Sequence, residues 1–158
     1  MALFQNAVIK KHLYAQNKEK INEKWKIYSS FFLDAARQER IRSLKEEQYQ
    51  RGFLDDLFVK VLGYTLEPDA NFNLSTEYKN VKDSKKADGA ILIDEKVCAV
   101  IELKGTNTTD LGKIETQAFG YKNNQPDCVY VITSNFEKIR FYIDNAIEYL
   151  EFNLFQLQ

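Results

Sequence analysis

Lys85-Lys86-Ala87-Asp88-Gly89-Ala90-Ile91-Leu92-Ile93 and Val97-Cys98-Ala99-Val100-Ile101-Glu102-Leu103-Lys104-Gly105 decide the reading of this chain. Residues 87–93 and 97–103 are apolar runs with β-branched residues, flanking Asp94-Glu95-Lys96, and they predict a β-hairpin. Two acids and a lysine interrupt the apolar runs. Strand side chains alternate between faces, so Glu102 and Lys104 point one way and Leu103 the other. A three-residue loop, 94–96, pairs Ile93 with Val97 and sets Asp88 opposite Glu102. A two-residue loop breaks that match.

On that register two carboxylates and an ammonium converge. Two carboxylates suit a hard divalent cation such as Mg²⁺, which prefers oxygen ligands and retains waters. Such an ion polarises a phosphate oxygen and lowers the pKa of a bound water. Lys104 is placed to orient or deprotonate that water, or to stabilise negative charge at phosphorus. A buried structural ion pair uses the same three residues, and both readings are open at this point.

Upstream, residues 1 to about 62 contain no Pro and one Gly, Gly52, and read as helical. Ser43-Leu44-Lys45-Glu46 matches a capping box. Phe53, Leu54, Leu57, Phe58, Val61 and Leu62 then recur at helical spacing, and Gly63 follows as a C-cap. At about 100° per residue, Glu47 falls about 30° from the centre of that apolar stripe, where a carboxylate needs a cation or hydrogen-bond donors. A frayed first turn serving the helix dipole is the other reading of Glu47.

Downstream, 64–73 reads as a loop, 74–78 as a short strand and 114–123 as a helix. Residues 129–133 and 138–143 form a second strand pair, and 145–155 looks helical. Gln117 and Tyr121 share a face of the 114–123 helix. The chain stops inside the apolar run Tyr149-Leu150-Glu151-Phe152-Asn153-Leu154-Phe155, which fits a fragment of a longer protein or a docked terminal helix. We divide the chain into a helical N-terminal extension, 1–42, and an α/β domain, 43–158.

Composition narrows the class. With 44% hydrophobic residues the chain can bury a core. One histidine disfavours His-based zinc sites, and two cysteines rule against a disulfide framework. No apolar run is long enough for a membrane span and no signal peptide is evident, so a cytoplasmic protein is expected. Residues 1–50 carry 10 basic and 6 acidic side chains, and residues 51–158 carry 12 and 17, giving +4 and −5 and the overall −1. A basic leader on an acidic body fits nucleic-acid contact through the leader or through parts outside this chain, and equally a soluble Lys-rich helix.

With Asp88, Glu102-Leu103-Lys104, the helix carboxylate Glu47 and Gln117-Ala118-Phe119-Gly120-Tyr121 in place, residues 45–145 resemble the PD-(D/E)XK nuclease superfamily. Ala87 stands where the family has its proline. The Gln117/Tyr121 pair is similar to the element of RecB-like nucleases and type I restriction subunits. The run from Met1 through Lys79-Asn80-Val81-Lys82-Asp83-Ser84-Lys85-Lys86-Ala87-Asp88-Gly89-Ala90 resembles the N-terminal cleavage domain of type IIG restriction–modification proteins.

The resemblance implies a restriction-endonuclease-like fold, a mixed β-sheet of about five strands flanked by helices. It implies Mg²⁺-dependent hydrolysis of double-stranded DNA, with Mn²⁺ as a substitute. Asp88, Glu102 and Lys104 are then catalytic, Asp88, Glu102 and Glu47 hold the metal, and Gln117 and Tyr121 support the site. Lys79, Lys82, Lys85 and Lys86 are candidates for DNA-backbone contact. Methyltransferase and target-recognition domains of the same polypeptide are expected partners, with transient homodimerisation so that both strands are cut. A stand-alone repair or defence nuclease and a non-catalytic binding module of the same fold are the alternatives.

Overall fold

A computed structural model describes residues 3–157. Its N-terminal part is helical: α1 (Asn6–Tyr14), α2 (Lys18–Phe32), α3 (Ala35–Ser43) and α4 (Glu46–Phe53). Side chains cap two of these starts. Asn17 accepts from the N–H groups of Glu19 and Lys20, and Asp34 from that of Arg37. A π-helical segment, Leu54–Val61, continues α4. Leu62 N–H donates to Leu57 O, five residues back, and Gly63 ends the run at φ 84°.

The capping box does not open at Ser43. Ser43 closes α3, its hydroxyl donating to Arg40 O at 2.7 Å. The next helix begins at Glu46, where Gln48 Oε1 accepts from Lys45 N–H at 2.8 Å. The apolar stripe is also shorter than its spacing predicts. Phe53, Leu54, Leu57 and Phe58 are buried, Val61 is half-buried and Leu62 is exposed. The π-helical geometry, with more residues per turn, rotates the last of these positions off the core.

The sheet has six strands in chain order: β1 (Leu74–Lys79), β2 (Lys86–Ile93), β3 (Lys96–Leu103), β4 (Tyr130–Ser134), β5 (Lys138–Ile143) and β6 (Tyr149–Asn153). Neighbours are antiparallel except β3 and β4, which run parallel. The crossover between them carries α5 (Glu115–Asn123) after a 3₁₀ turn, Leu111–Ile114. The architecture is therefore α/β, a mixed sheet flanked by helices.

β6 corrects the helical reading of residues 145–155. Cross-strand partners on β5 hold this segment extended. Arg140 Nε donates to Glu151 Oε2 at 2.6 Å, and the Phe141–Phe152 and Tyr142–Tyr149 ring centroids lie 6.1 and 5.5 Å apart. Helical periodicity in a short apolar run does not see such partners.

Each face of the sheet has its own core. Ile91, Ala99, Ile101, Leu103 and Ile132 pack under α2, α3, α4 and the π-helical segment. Tyr28, Phe32 and Ile41 bring α2 and α3 into that core, and Leu154 and Phe155 join them from the C-terminal side. Ala90, Val100 and Val131 face the other way, against Ala118 and Tyr121 of α5. Helix α1 has no buried residue. No helix among the described residues is long and apolar enough to cross a membrane.

Phe53 is the hub of the first core. It is fully buried and meets the rings of Phe32, Tyr49, Phe58 and Phe136 at centroid distances of 5.2 to 6.4 Å. Phe53→Ala is expected to cost about 3–5 kcal/mol in urea unfolding at unchanged m-value. A cost under about 1 kcal/mol would contradict this packing.

Candidate active site

The β2–β3 hairpin builds the site. Its turn has two residues, Asp94 and Glu95, at φ 50° and 63°, and Ile93 pairs with Lys96 rather than with Val97. The expected three-residue loop is absent. The register nevertheless recovers. Leu92 pairs with Val97 and Ile91 with Ala99, so Cys98 is an unpaired bulge residue. Beyond it Ala90 meets Val100 and Gly89 meets Ile101. The ladder ends there, and Asp88 follows it with its carboxylate on Leu103 N–H, beside Glu102. The bulge makes up the residue that the shorter turn lacks.

Glu102 lies two residues from Val100 and so shares the sheet face covered by α5. Its side chain is 2% exposed. Lys104 Nζ stands 3.1 Å from Glu102 Oε1 and 3.4 Å from Glu46 Oε1. Asp88 Oδ2 accepts from Leu103 N–H at 2.7 Å, and Asp88 Oδ1 accepts from Gln50 Nε2 at 3.2 Å. Gln50 Nε2 also donates to Glu46 Oε1 at 3.0 Å. Three carboxylates from a helix and two strands thus surround one ammonium.

Glu46 corrects the assignment to Glu47. Glu47 is exposed, whereas Glu46 turns toward Lys104. The angular estimate ran a regular 100° step through a segment that is π-helical, and the resulting phase error selects the neighbouring residue. The start of α4 also packs beside Gly105, where an added Cβ would lie 3.6 Å from Glu46 N. This contact brings the first turn of α4 to the end of β3.

The other expected residues fall at different distances from this cluster. Gln117 Nε2 donates to Tyr121 Oη at 3.1 Å, so the two share a face as their spacing predicts. Tyr121 is buried on the sheet side of α5 and Gln117 is exposed; neither bonds Asp88, Glu102 or Lys104. Lys79, Lys82, Lys85 and Lys86 are all exposed, on or beside the β1–β2 connection, at the end of β2 where Asp88 lies. Asp83 shapes that connection by accepting from Asn80 Nδ2 and Lys85 N–H. Lys86 is engaged with Glu77 at 3.4 Å.

Burial and like charge set the electrostatics of the cluster. Burial, then the neighbouring Asp88 carboxylate, pushes the Glu102 pKa up to about 7. Burial also raises Asp88, against the lowering effect of the Leu103 amide and Lys104. Burial alone would lower Lys104, but Glu102, Glu46 and Asp88 outweigh it and hold the ammonium protonated. Glu102 Oε2 is buried with no hydrogen-bond partner. An ionised oxygen without a donor is costly, and a cation is a ligand that would relieve it. Among the described residues no three His, Cys, Asp or Glu side chains converge tightly enough to cage a metal. Mg²⁺ suits such an open set, since it is commonly held by one or two carboxylates plus water and phosphate oxygens.

Sequence reasoning missed Gln50 and Asp56. Gln50 lies one turn after Glu46 on the same helix face, a spacing that was readable once Glu46 was chosen. Asp56 is buried in the π-helical segment. It accepts from Tyr49 Oη at 2.9 Å and pairs with Arg37 and with Lys60, the latter at 3.1 Å. Its partners come from three places in the chain, and no local pattern reveals them.

Comparison with protein-family models, with curated proteins and with solved structures gives no match.

The raised pKa of Glu102 has a stability consequence. Its folded value of about 7 lies above the ordinary 4.5, so the folded protein holds this proton more tightly than the unfolded chain does. The group costs nothing below the ordinary value, and its cost grows as pH rises from there through the folded value. Glu102→Gln removes that cost. In chelator, the variant is expected to melt higher than the parent at about pH 8, with the gap closing toward about pH 5. A variant that melts lower at about pH 8 would show that Glu102 is structurally required.

Proposed function

We propose that this chain is a metal-dependent DNA endonuclease domain, acting with Mg²⁺ and able to use Mn²⁺. The observation that carries the reading is the convergence of Asp88, Glu102 and Lys104 on one patch, with a buried Glu102 oxygen that has no protein donor. Among the described residues it is the one carboxylate oxygen of the buried side-chain polar atoms without a partner.

Asp88 and Glu102 supply the oxygen ligands, and Glu46 adds negative charge from α4. Bound there, Mg²⁺ would polarise a phosphate oxygen and acidify a water. Lys104 then has a defined task. Three carboxylates keep it protonated, so it serves as the cation facing charge that develops at phosphorus, rather than as the base that takes a proton from water. Gln117 and Tyr121 border the same sheet face and shape its wall. Lys79, Lys82 and Lys85 are free to meet backbone phosphates of double-stranded DNA beside the Asp88 end of β2, and Lys86 can do so by leaving Glu77.

The net charge of −1 is low for a protein that neutralises many phosphates alone. This supports placement in a type IIG restriction–modification protein, where methyltransferase and target-recognition domains of the same polypeptide supply most of the DNA contact. Transient pairing of two nuclease domains would let both strands be cut. A cytoplasmic location follows from that role.

Plasmid cleavage with Mg²⁺ or Mn²⁺ tests the proposal. Lys104→Ala is expected to lose about 10²-fold or more in rate while keeping the parental circular dichroism, with a lower melting point because Glu102 and Glu46 lose their counter-charge. Glu46→Ala is expected to be impaired and Glu47→Ala to cut at the parental rate. Parental cutting by Lys104→Ala would overturn the mechanism. Absence of Mg²⁺ and Mn²⁺ binding by calorimetry would favour a non-catalytic module.

A further inference from the structure

We propose that Gln50 is a positioning residue that fixes the Asp88 carboxylate for cation binding; this rests on the nuclease reading above. Its side-chain amide has two hydrogens and two acidic acceptors. One is Glu46 Oε1 at 3.0 Å and the other Asp88 Oδ1 at 3.2 Å. Gln50 thereby ties α4 to β2, two elements that no turn or ladder joins directly.

Asp88 depends on this contact. Its Oδ2 is held by a backbone group, Leu103 N–H. Its Oδ1 accepts from the amide of Gln50, and the Glu102 carboxyl is a further side-chain hydrogen-bond neighbour of Asp88. Two donors on different oxygens fix the plane of the carboxylate, which one donor would leave free to rotate.

The residue type is also informative. A lysine at position 50 would reach the same acceptors and cancel negative charge that a cation needs. A glutamate would have no hydrogen to give. Glutamine supplies two donors and no charge. It orders Asp88 and Glu46 while leaving the site with three carboxylates against the single ammonium of Lys104.

Mn²⁺ binding to the DNA-free chain, read by calorimetry beside thermal melting in chelator, tests this. Gln50→Met keeps the length and removes both donors. It is expected to weaken Mn²⁺ binding about tenfold or more, with kcat for cleavage reduced and KM for DNA unchanged. Gln50→Lys is expected to melt higher than the parent without metal and to bind Mn²⁺ more weakly. Opposite movement of stability and affinity is not what a merely structural contact produces, and this variant carries the test if Gln50→Met does not fold. Gln48→Met, which removes the cap on Lys45 N–H, is the control. It is expected to lower the melting point and leave Mn²⁺ affinity unchanged. A parent that binds Mn²⁺ and cuts DNA, beside position-50 variants that bind Mn²⁺ equally well, overturns the role of Gln50 alone. A parent that binds no Mn²⁺ overturns both this role and the metal-dependent reading.

Discussion

A carboxylate held out of water beside a second carboxylate is the constraint around which this molecule is arranged. Glu102 lies on β3 in a mostly apolar sheet interior, opposite Thr133 of β4, with Asp88 on the adjoining β2. Water would solvate that charge far better than the sheet does. The structure offers one ammonium, one backbone N–H and one amide to the cluster, and these come from β3, the strand end after it and α4. The approach of α4 to Gly105 and the half-burial of Lys104 serve the same local balance of charge.

Asp56 shows what the balance looks like when the purpose is structural. It is as deeply buried as Glu102 and also carries an acid into an apolar setting. Tyr49, Arg37 and Lys60 surround it, and both its oxygens are engaged. Glu102 has only Lys104 as a hydrogen-bonding donor, on one oxygen. Burial alone therefore does not distinguish the two acids. The number of donors each receives does.

Much of the architecture was legible from local pattern. The β2–β3 hairpin, the β4–β5 pair, the N-terminal helices and the Gly63 stop all follow from alternation, helical spacing and a glycine at positive φ. The proximity of Asp88 to Glu102 was reached by assuming a loop of the wrong length, and the bulge at Cys98 offsets the missing turn residue. What pattern could not show depends on contacts distant in sequence. β6 is a strand because β5 lies beside it. Glu46 displaces Glu47 because the segment after α4 is π-helical, which shifts the phase of the apolar positions. Gln50 and Asp56 acquire meaning only from partners on other elements.

The bulge at Cys98 has an evolutionary corollary. A residue gained in the Asp94-Glu95 turn could be absorbed by drawing Cys98 back into the ladder, and the acids at the opposite end would stay face to face. Growth of the turn is thereby insulated from the acidic cluster, so this end of the β2–β3 hairpin can accept an insertion that would ordinarily invert a strand.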